Sequence, residues 1–315
     1  MLDVMLLDHP LWMWGAFFVL VSILLAFDLG VLNRKQRVLS VGQALKLSLF
    51  YIILGLSFSM WVFENLGEQA GYEYLSGYLI EKTLSLDNIF VFVLIFTHFQ
   101  VPQEYQHRVL FWGILGAIIL RGAFIVAGTQ LITHFDWMMY ILGAFLIYTG
   151  IKMLLAADAE PDIENNKMIR FFSRRFRVTP TYEGNRFFVR KDGVLWFTPL
   201  FLVLIVIDVA DVVFAVDSIP AIFAITQDTF VVFTSNIFAI LGLRALYFAL
   251  AAMMHRFEYL KYGLSLVLVF IGGKMVINHH VEFKLIQVEY SLLFTVVVIG
   301  LSVIFSLFKT RTSTK

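Results

Sequence analysis

Two stretches of the chain place paired acids in apolar surroundings. EKTLSLDNIFVFVLIF begins at Glu81, and DVVFAVDSIPAIFAIT begins at Asp211. Each holds an acid, a second acid six residues on, and then a small polar neighbour. These are Glu81, Asp87 and Asn88 in the first stretch, and Asp211, Asp217 and Ser218 in the second. Carboxylate, amide and hydroxyl oxygens form a hard donor set, suited to Mg²⁺, Ca²⁺ or Mn²⁺ rather than Cu(I) or Zn²⁺. A charge placed in hydrocarbon costs about 3 kcal/mol by insertion scales. These acids must therefore face cations, either a bound metal ion or the protein's own Lys82, Arg121 and Arg244. Both readings stand on the residues alone.

On a straight helix, positions seven apart share a face, which aligns Glu81 with Asn88 and Asp211 with Ser218. At about 100° per residue, Asp87 and Asp217 are turned about 120° from their partner acids. The acids then converge only if a helix breaks or if the site lies between several helices. Pro220 is the expected opening in the second stretch, freeing carbonyls as further oxygen ligands. Phe90 stands at the matching place in the first.

Supporting candidates are weaker. Asp208 lies three residues before Asp211 on nearly the same face. Asp28, in LLAFDLG, is either an ion ligand or a cap directed at Arg34. Glu64, in WVFENLG, belongs to an entry funnel or simply reaches the interface. Asn236 is placed to hydrogen-bond between helices. The seven histidines fall at expected helix ends or in loops, and only His279-His280 resembles a weak transition-metal pair.

The elements that carry these residues follow from composition. Of 315 residues, 60% are hydrophobic and 15% charged, with mean hydropathy +0.82. Soluble domains sit nearer 45–50% apolar and about 25% charged. The expected fold is an all-α polytopic membrane protein, with 1–315 as a single transmembrane domain. Nine apolar runs are long enough to cross: 11–32, 45–63, 76–98, 109–131, 136–156, 196–220, 229–250, 259–278 and 288–308. The N-terminal MLDVMLLDHP lacks the basic start of a signal peptide, so the first run reads as a retained span. There are no cysteines, which excludes disulfides, thiolate metal sites and a CxxC redox pair. Net charge is +1, so the overall balance gives no sign of nucleic-acid binding.

With the N-terminus periplasmic and the C-terminus cytoplasmic, 18 of the 24 Lys and Arg fall inside. The loop 157–194 carries eight basic residues, interleaved with acids and aromatics. It reads as a solvated cytoplasmic linker or as a lipid-headgroup or regulatory contact, with RFFSRRFR (170–177) suited to an interfacial helix.

The acidic stretches open a repeat. Arg121 in GAIILRGAF matches Arg244 in AILGLRALY, and Lys152 in YTGIKML matches Lys274 in FIGGKMV. From the second acid the spacings are 34 then 31 residues in one copy and 27 then 30 in the other. Each copy, 76–156 and 196–278, holds three spans. An odd number implies opposite orientation, the inverted-topology construction of many secondary transporters. The two acidic helices then face one another, with Arg121 and Arg244 as the available cations between them.

At GYLIEKTLSLDNIFVF (77–92), DVVFAVDSIPAIFAIT (211–226), LLAFDLGVLNRK (24–35) and the two arginine helices, the chain resembles the TerC family of integral membrane proteins, within it an Alx-like branch. The resemblance implies metal-ion homeostasis at the bacterial inner membrane, with manganese as the associated ion. It maps the family's acidic positions onto Glu81, Asp87, Asp211 and Asp217. The family's older label of redox modulator finds no cysteine, CxxCH or dinucleotide fingerprint here.

The leading expectation is thus a divalent cation transporter, most specifically an Mn²⁺ exporter, with Mn²⁺ as cargo and proton exchange as a route of release. Its partners are the bilayer, the cation and protons, with no nucleic acid. The alternative is a non-transporting sensor or assembly protein linked to tellurium or stress resistance. No HExxH, GxGD or serine–histidine pair at depth supports an intramembrane enzyme.

Overall fold

A backbone within hydrocarbon must satisfy its hydrogen bonds internally, so long apolar runs become helices. A computed structural model describes residues 5–32, 40–135, 137–155, 177–191, 193–251, 259–281 and 286–312. Within these, a few side chains, Asp87 and Asp217 among them, are not described. The helices are α1 (Leu11–Leu32), α2 (Val41–Leu66), α3 (Glu68–His98), α4 (Gln103–His134) and α5 (Met138–Leu155) in the first half. In the second half they are α6 (Pro199–Phe223), α7 (Thr229–Ile240), α8 (Leu243–Leu250), α9 (Leu260–His280) and α10 (Val288–Thr312). Two short antiparallel hairpins complete the fold, β1 (Met5–Leu6) with β2 (His9–Pro10) and β3 (Phe188–Lys191) with β4 (Val194–Phe197).

The protein is an all-α polytopic membrane protein. Among the described residues, eight spans are long and apolar enough to cross a bilayer, fewer than the nine runs in the sequence. The run at 76–98 lies within α3, a helix of 31 residues. At about 1.5 Å per residue it is long enough to cross. Its five charged side chains, from Glu68 and Glu73 through Glu81, Lys82 and Asp87, dilute its hydropathy.

The run at 229–250 is not one helix. It stops at Ile240, passes through an extended Leu241 (ψ 134°) and a left-handed Gly242 (φ +79°), and resumes at Leu243. Pro220 does not break its helix, although its missing N–H leaves the Val216 carbonyl without its intrahelical donor. Helix α6 continues past it to Phe223, and the Ala224 N–H still reaches the Pro220 carbonyl at 3.0 Å. The break falls instead where glycine admits φ > 0 at no steric cost. A helix end inside a bilayer leaves carbonyls without partners. Lys82 Nζ donates to one of them, Ala239 O, at 3.0 Å.

Every residue of α7 is buried, so this helix forms the centre of the bundle. It packs against α3, α4 and α2. Phe17, Phe58, Phe230 and Phe238 interlock where α1 and α2 meet it. The helices that the repeat reading matches also touch in pairs: α3 with α6, α4 with α7 and α8, and α5 with α9. The α5–α9 seam is built from small residues, and Ser265 Oγ donates to Gly150 O at 2.7 Å.

Contacts at the two ends agree with alternating passage of the chain. His9 Nε2 lies 2.9 Å from Asp228 Oδ1 at one end, and Tyr247 OH lies 3.0 Å from Gln106 Oε1 at the other. On this second side the described part of the 157–194 loop is no free linker. Its β3–β4 hairpin docks on the bundle: Phe187 is buried, the Arg108 guanidinium lies 5.0 Å from its ring centroid, and Tyr182 OH donates to Phe99 O at 2.7 Å. An aromatic foot gives the hairpin apolar area to bury, which a purely solvated linker lacks. Residues 170–176 of the expected interfacial helix lie outside the described residues.

Candidate functional site

Helix α4 brings Arg121 into the bundle between α3, α6 and α7. Its Nε donates to Asp211 Oδ2 at 3.0 Å and its Nη2 to Asp211 Oδ1 at 2.9 Å. Its Nη1 bonds Glu81 Oε1 and also reaches Asn236 Oδ1 at 3.3 Å. Arg121, Glu81 and Asn236 are 0% exposed and Asp211 3%, so water screens none of these charges. A bidentate guanidinium–carboxylate pair is the strongest form of such a contact, fixing orientation as well as charge. Two carboxylates with one guanidinium leave the cluster one negative charge in excess. Among the described residues, Glu81 Oε2 and Asn236 Nδ2 find no hydrogen-bond partner.

Arg244 does not join this cluster, contrary to the repeat-based expectation. Its Nη2 lies 2.6 Å from Asp28 Oδ2 and donates to Asp28 O at 2.8 Å. The break at Leu241–Gly242 redirects α8 towards α2 and α1, with Gly242 lying directly on Tyr51. Asp28 is therefore engaged by Arg244 through its side chain and its backbone, and Arg34 lies outside the described residues.

The remaining candidates are dispersed. Asn88 is buried, and Ser218 is buried with its Oγ unpartnered. Asp208 lies against Gly116 on α4, with Oδ1 unpartnered. Glu64 is exposed near the end of α2. A cavity of about one water's size adjoins Asp211, Ala117, Ile240 and Leu243. Among the described residues, no group of three His, Asp or Glu side chains is gathered as a metal would need. The side chains of Asp87 and Asp217, half of the expected acidic set, lie outside the described set.

Sequence reasoning missed two features near the site. One is the broken α7–α8 pair, whose signal was the glycine of ILGLR just before Arg244. The other is the bond from Lys82 to the broken end, which nothing local in the sequence marks.

A family profile described as "Integral membrane protein TerC family" matches residues 66–314, which spans every helix that contributes to the Arg121 cluster. The chain belongs to the TerC family. Among TerC-like relatives, an "Uncharacterized membrane protein" of Rickettsia felis is 44% identical over 296 residues, covering 94% of this chain and 97% of the relative. An "Uncharacterized membrane protein STKORF319" of Myxococcus xanthus is 46% identical, covering 95% and 93%. The "Putative membrane-bound redox modulator Alx" of Salmonella typhi is 49% identical, covering 89% of each chain. No solved structure matches this TerC chain.

Proposed function

We propose that this TerC protein carries a divalent metal ion across the bacterial inner membrane, with Mn²⁺ export as its specific activity. The observation that carries this reading is the convergence of Glu81 and Asp211 on one buried point. They arrive from the two matched helices α3 and α6 and meet at the same guanidinium. A cation-binding midplane between repeat-related helices is the arrangement of secondary transporters. The pairwise contacts α3–α6, α4–α7 and α5–α9 support an inverted repeat of 76–156 with 196–278.

In this reading Glu81, Asp87, Asp211 and Asp217 coordinate the dehydrated ion, and Asn88 and Ser218 complete its shell. Mg²⁺ and Ca²⁺ accept the same oxygens, so selectivity rests on cavity size and rigidity. Protonation of a desolvated carboxylate supplies a route of release. The N-terminus faces the periplasm and the C-terminus the cytoplasm, in keeping with the basic residues. The protein acts as a carrier, without covalent catalysis. The redox role in the name of the Salmonella typhi relative finds no thiol here, since the chain has no cysteine.

The test is Mn²⁺ flux in proteoliposomes, comparing wild type with Asp87→Asn and Asp217→Asn. Flux that both substitutions abolish, in folded protein, supports the reading. Equal flux in all three reduces the acids to structural pairs. A second reading, a sensor or assembly protein without transport, is favoured by one observation: the β3–β4 hairpin docks on the bundle through Phe187 and Tyr182. Deleting the 157–194 loop separates the two, because transport should partly survive and assembly should not.

A further inference from the structure

Arg121 is held by four oxygens: Glu81 Oε1, both carboxylate oxygens of Asp211, and Asn236 Oδ1. They come from α3, α6 and α7, the elements that enclose the proposed path. An all-oxygen set with two carboxylates is what a hard divalent cation takes. Here it is filled by a cation that the chain itself supplies, and it is filled incompletely. Among the described residues, Glu81 Oε2 and Asn236 Nδ2, both on wholly buried residues, remain without partners. One positive charge also leaves two carboxylates short by one. A divalent ion would balance both and engage the vacant carboxylate oxygen.

We propose that Arg121 is a tethered substitute for the cargo cation, seated between Glu81 and Asp211 when cargo is absent and displaced when cargo binds. The proposal rests on the transport reading above and adds an internal competitor to it. A displaced guanidinium needs a new partner, because an unpaired charge at this depth is costly. Asp208 offers one. It lies against α4 at Gly116, and its Oδ1 has no partner among the described residues. It lies one turn, about 5 Å, along α6 from the Asp211 carboxylate that Arg121 now holds. Competition of this kind weakens cargo binding, which a carrier requires because the ion must leave as well as enter. When the ion departs, Arg121 returns and the acids are never left bare.

The experiment titrates MnCl₂ into the full chain in nanodiscs by calorimetry, with thermal unfolding in parallel. It compares wild type with Arg121→Gln and Arg121→Lys. Arg121→Gln should bind Mn²⁺ at least about tenfold more tightly, because the competitor is gone, and should carry it more slowly. Its melting temperature, low without metal, should climb further with Mn²⁺ than that of wild type, by ordinary ligand linkage. Arg121→Lys should fall between, since an ammonium cannot fork across a carboxylate. If Arg121→Gln unfolds too readily to titrate, the lysine variant decides alone. Binding no tighter than wild type in either variant, or a low melting temperature that Mn²⁺ does not raise, overturns the proposal. The two ideas fail differently. Wild-type Mn²⁺ flux with unchanged affinity in the variants removes only the substitute role. Absence of both flux and binding in every chain removes the transport reading along with it.

Discussion

Arg121 and Asp211 join α4 to α6 through two parallel hydrogen bonds, at 3.0 and 2.9 Å, with Arg121 wholly buried and Asp211 nearly so. Glu81 meets the same guanidinium through a single nitrogen. The two acids are therefore unequal partners. Neutralising either acid leaves Arg121 paired with the other, so the cost is that of the hydrogen bonds lost to a charged group, about 1.5–3 kcal/mol each. Asp211→Asn should lower the metal-free melting temperature strongly, and Glu81→Gln should lower it less. Equal losses in thermal unfolding would mean that the bidentate geometry carries no extra weight.

The break between α7 and α8 depends on Gly242. Its φ of +79° suits glycine, and a Cβ there would lie 2.6 Å from the Cβ of Tyr51. Gly242→Ala should therefore destabilise by about 1–3 kcal/mol from backbone strain, with the clash adding to it. In a double-mutant cycle, Tyr51→Gly, which removes the clashing Cβ along with the ring, should cancel only the part of the loss due to the clash. Full recovery in thermal unfolding would show that the left-handed conformation itself matters little.

Much of this architecture was legible in the sequence, and for identifiable reasons. Apolar runs in a bilayer admit only helices, so the helical fold followed from hydropathy. The acids at 81 and 211 stood out because charges at such depth are expensive. The repeat landmarks misplaced Arg244, however. Matching letters reveal which helices correspond, but a backbone that turns at Gly242 decides where the side chain goes. Pro220 opens its helix less than expected, for a related reason: the helix continues past it. Proline forgoes one hydrogen bond, and close to the end of α6 that loss interrupts little. The acidic asymmetry around Arg121 depends on distances between helices far apart in the chain, which no local spacing encodes.

Arg244 and Asp28 form a second buried pair, at 2.6 Å, linking α8 to α1. It ties the segment after the break to a helix outside both repeats. Double-mutant cycles between contacting charges give coupling energies of about 0.5–3 kcal/mol. Asp28→Asn and Arg244→Gln should therefore cost less together than the sum of their separate effects. The same cycle between Asp28 and Arg121 should give no coupling, because Arg121 is engaged by Glu81, Asp211 and Asn236. Additive losses for Asp28 with Arg244 would dissolve the link.

Tyr182 anchors the β3–β4 hairpin by donating to Phe99 O at 2.7 Å. Burial pushes its hydroxyl up from the ordinary 10 to about 12. A group whose folded value is raised contributes stability that is complete below the unfolded value and is lost as pH climbs through the folded one. The anchor should therefore be intact below about pH 10 and fade between about pH 10 and 12. Tyr182→Phe removes the donor and should cost about 0.5–1.5 kcal/mol at neutral pH. The difference in melting temperature between wild type and Tyr182→Phe should be constant up to about pH 10 and then close towards pH 12. A difference that stays constant across that window would show that titration of the hydroxyl is not linked to folding, and a difference of zero at neutral pH would show that the hydrogen bond to Phe99 does not anchor the hairpin.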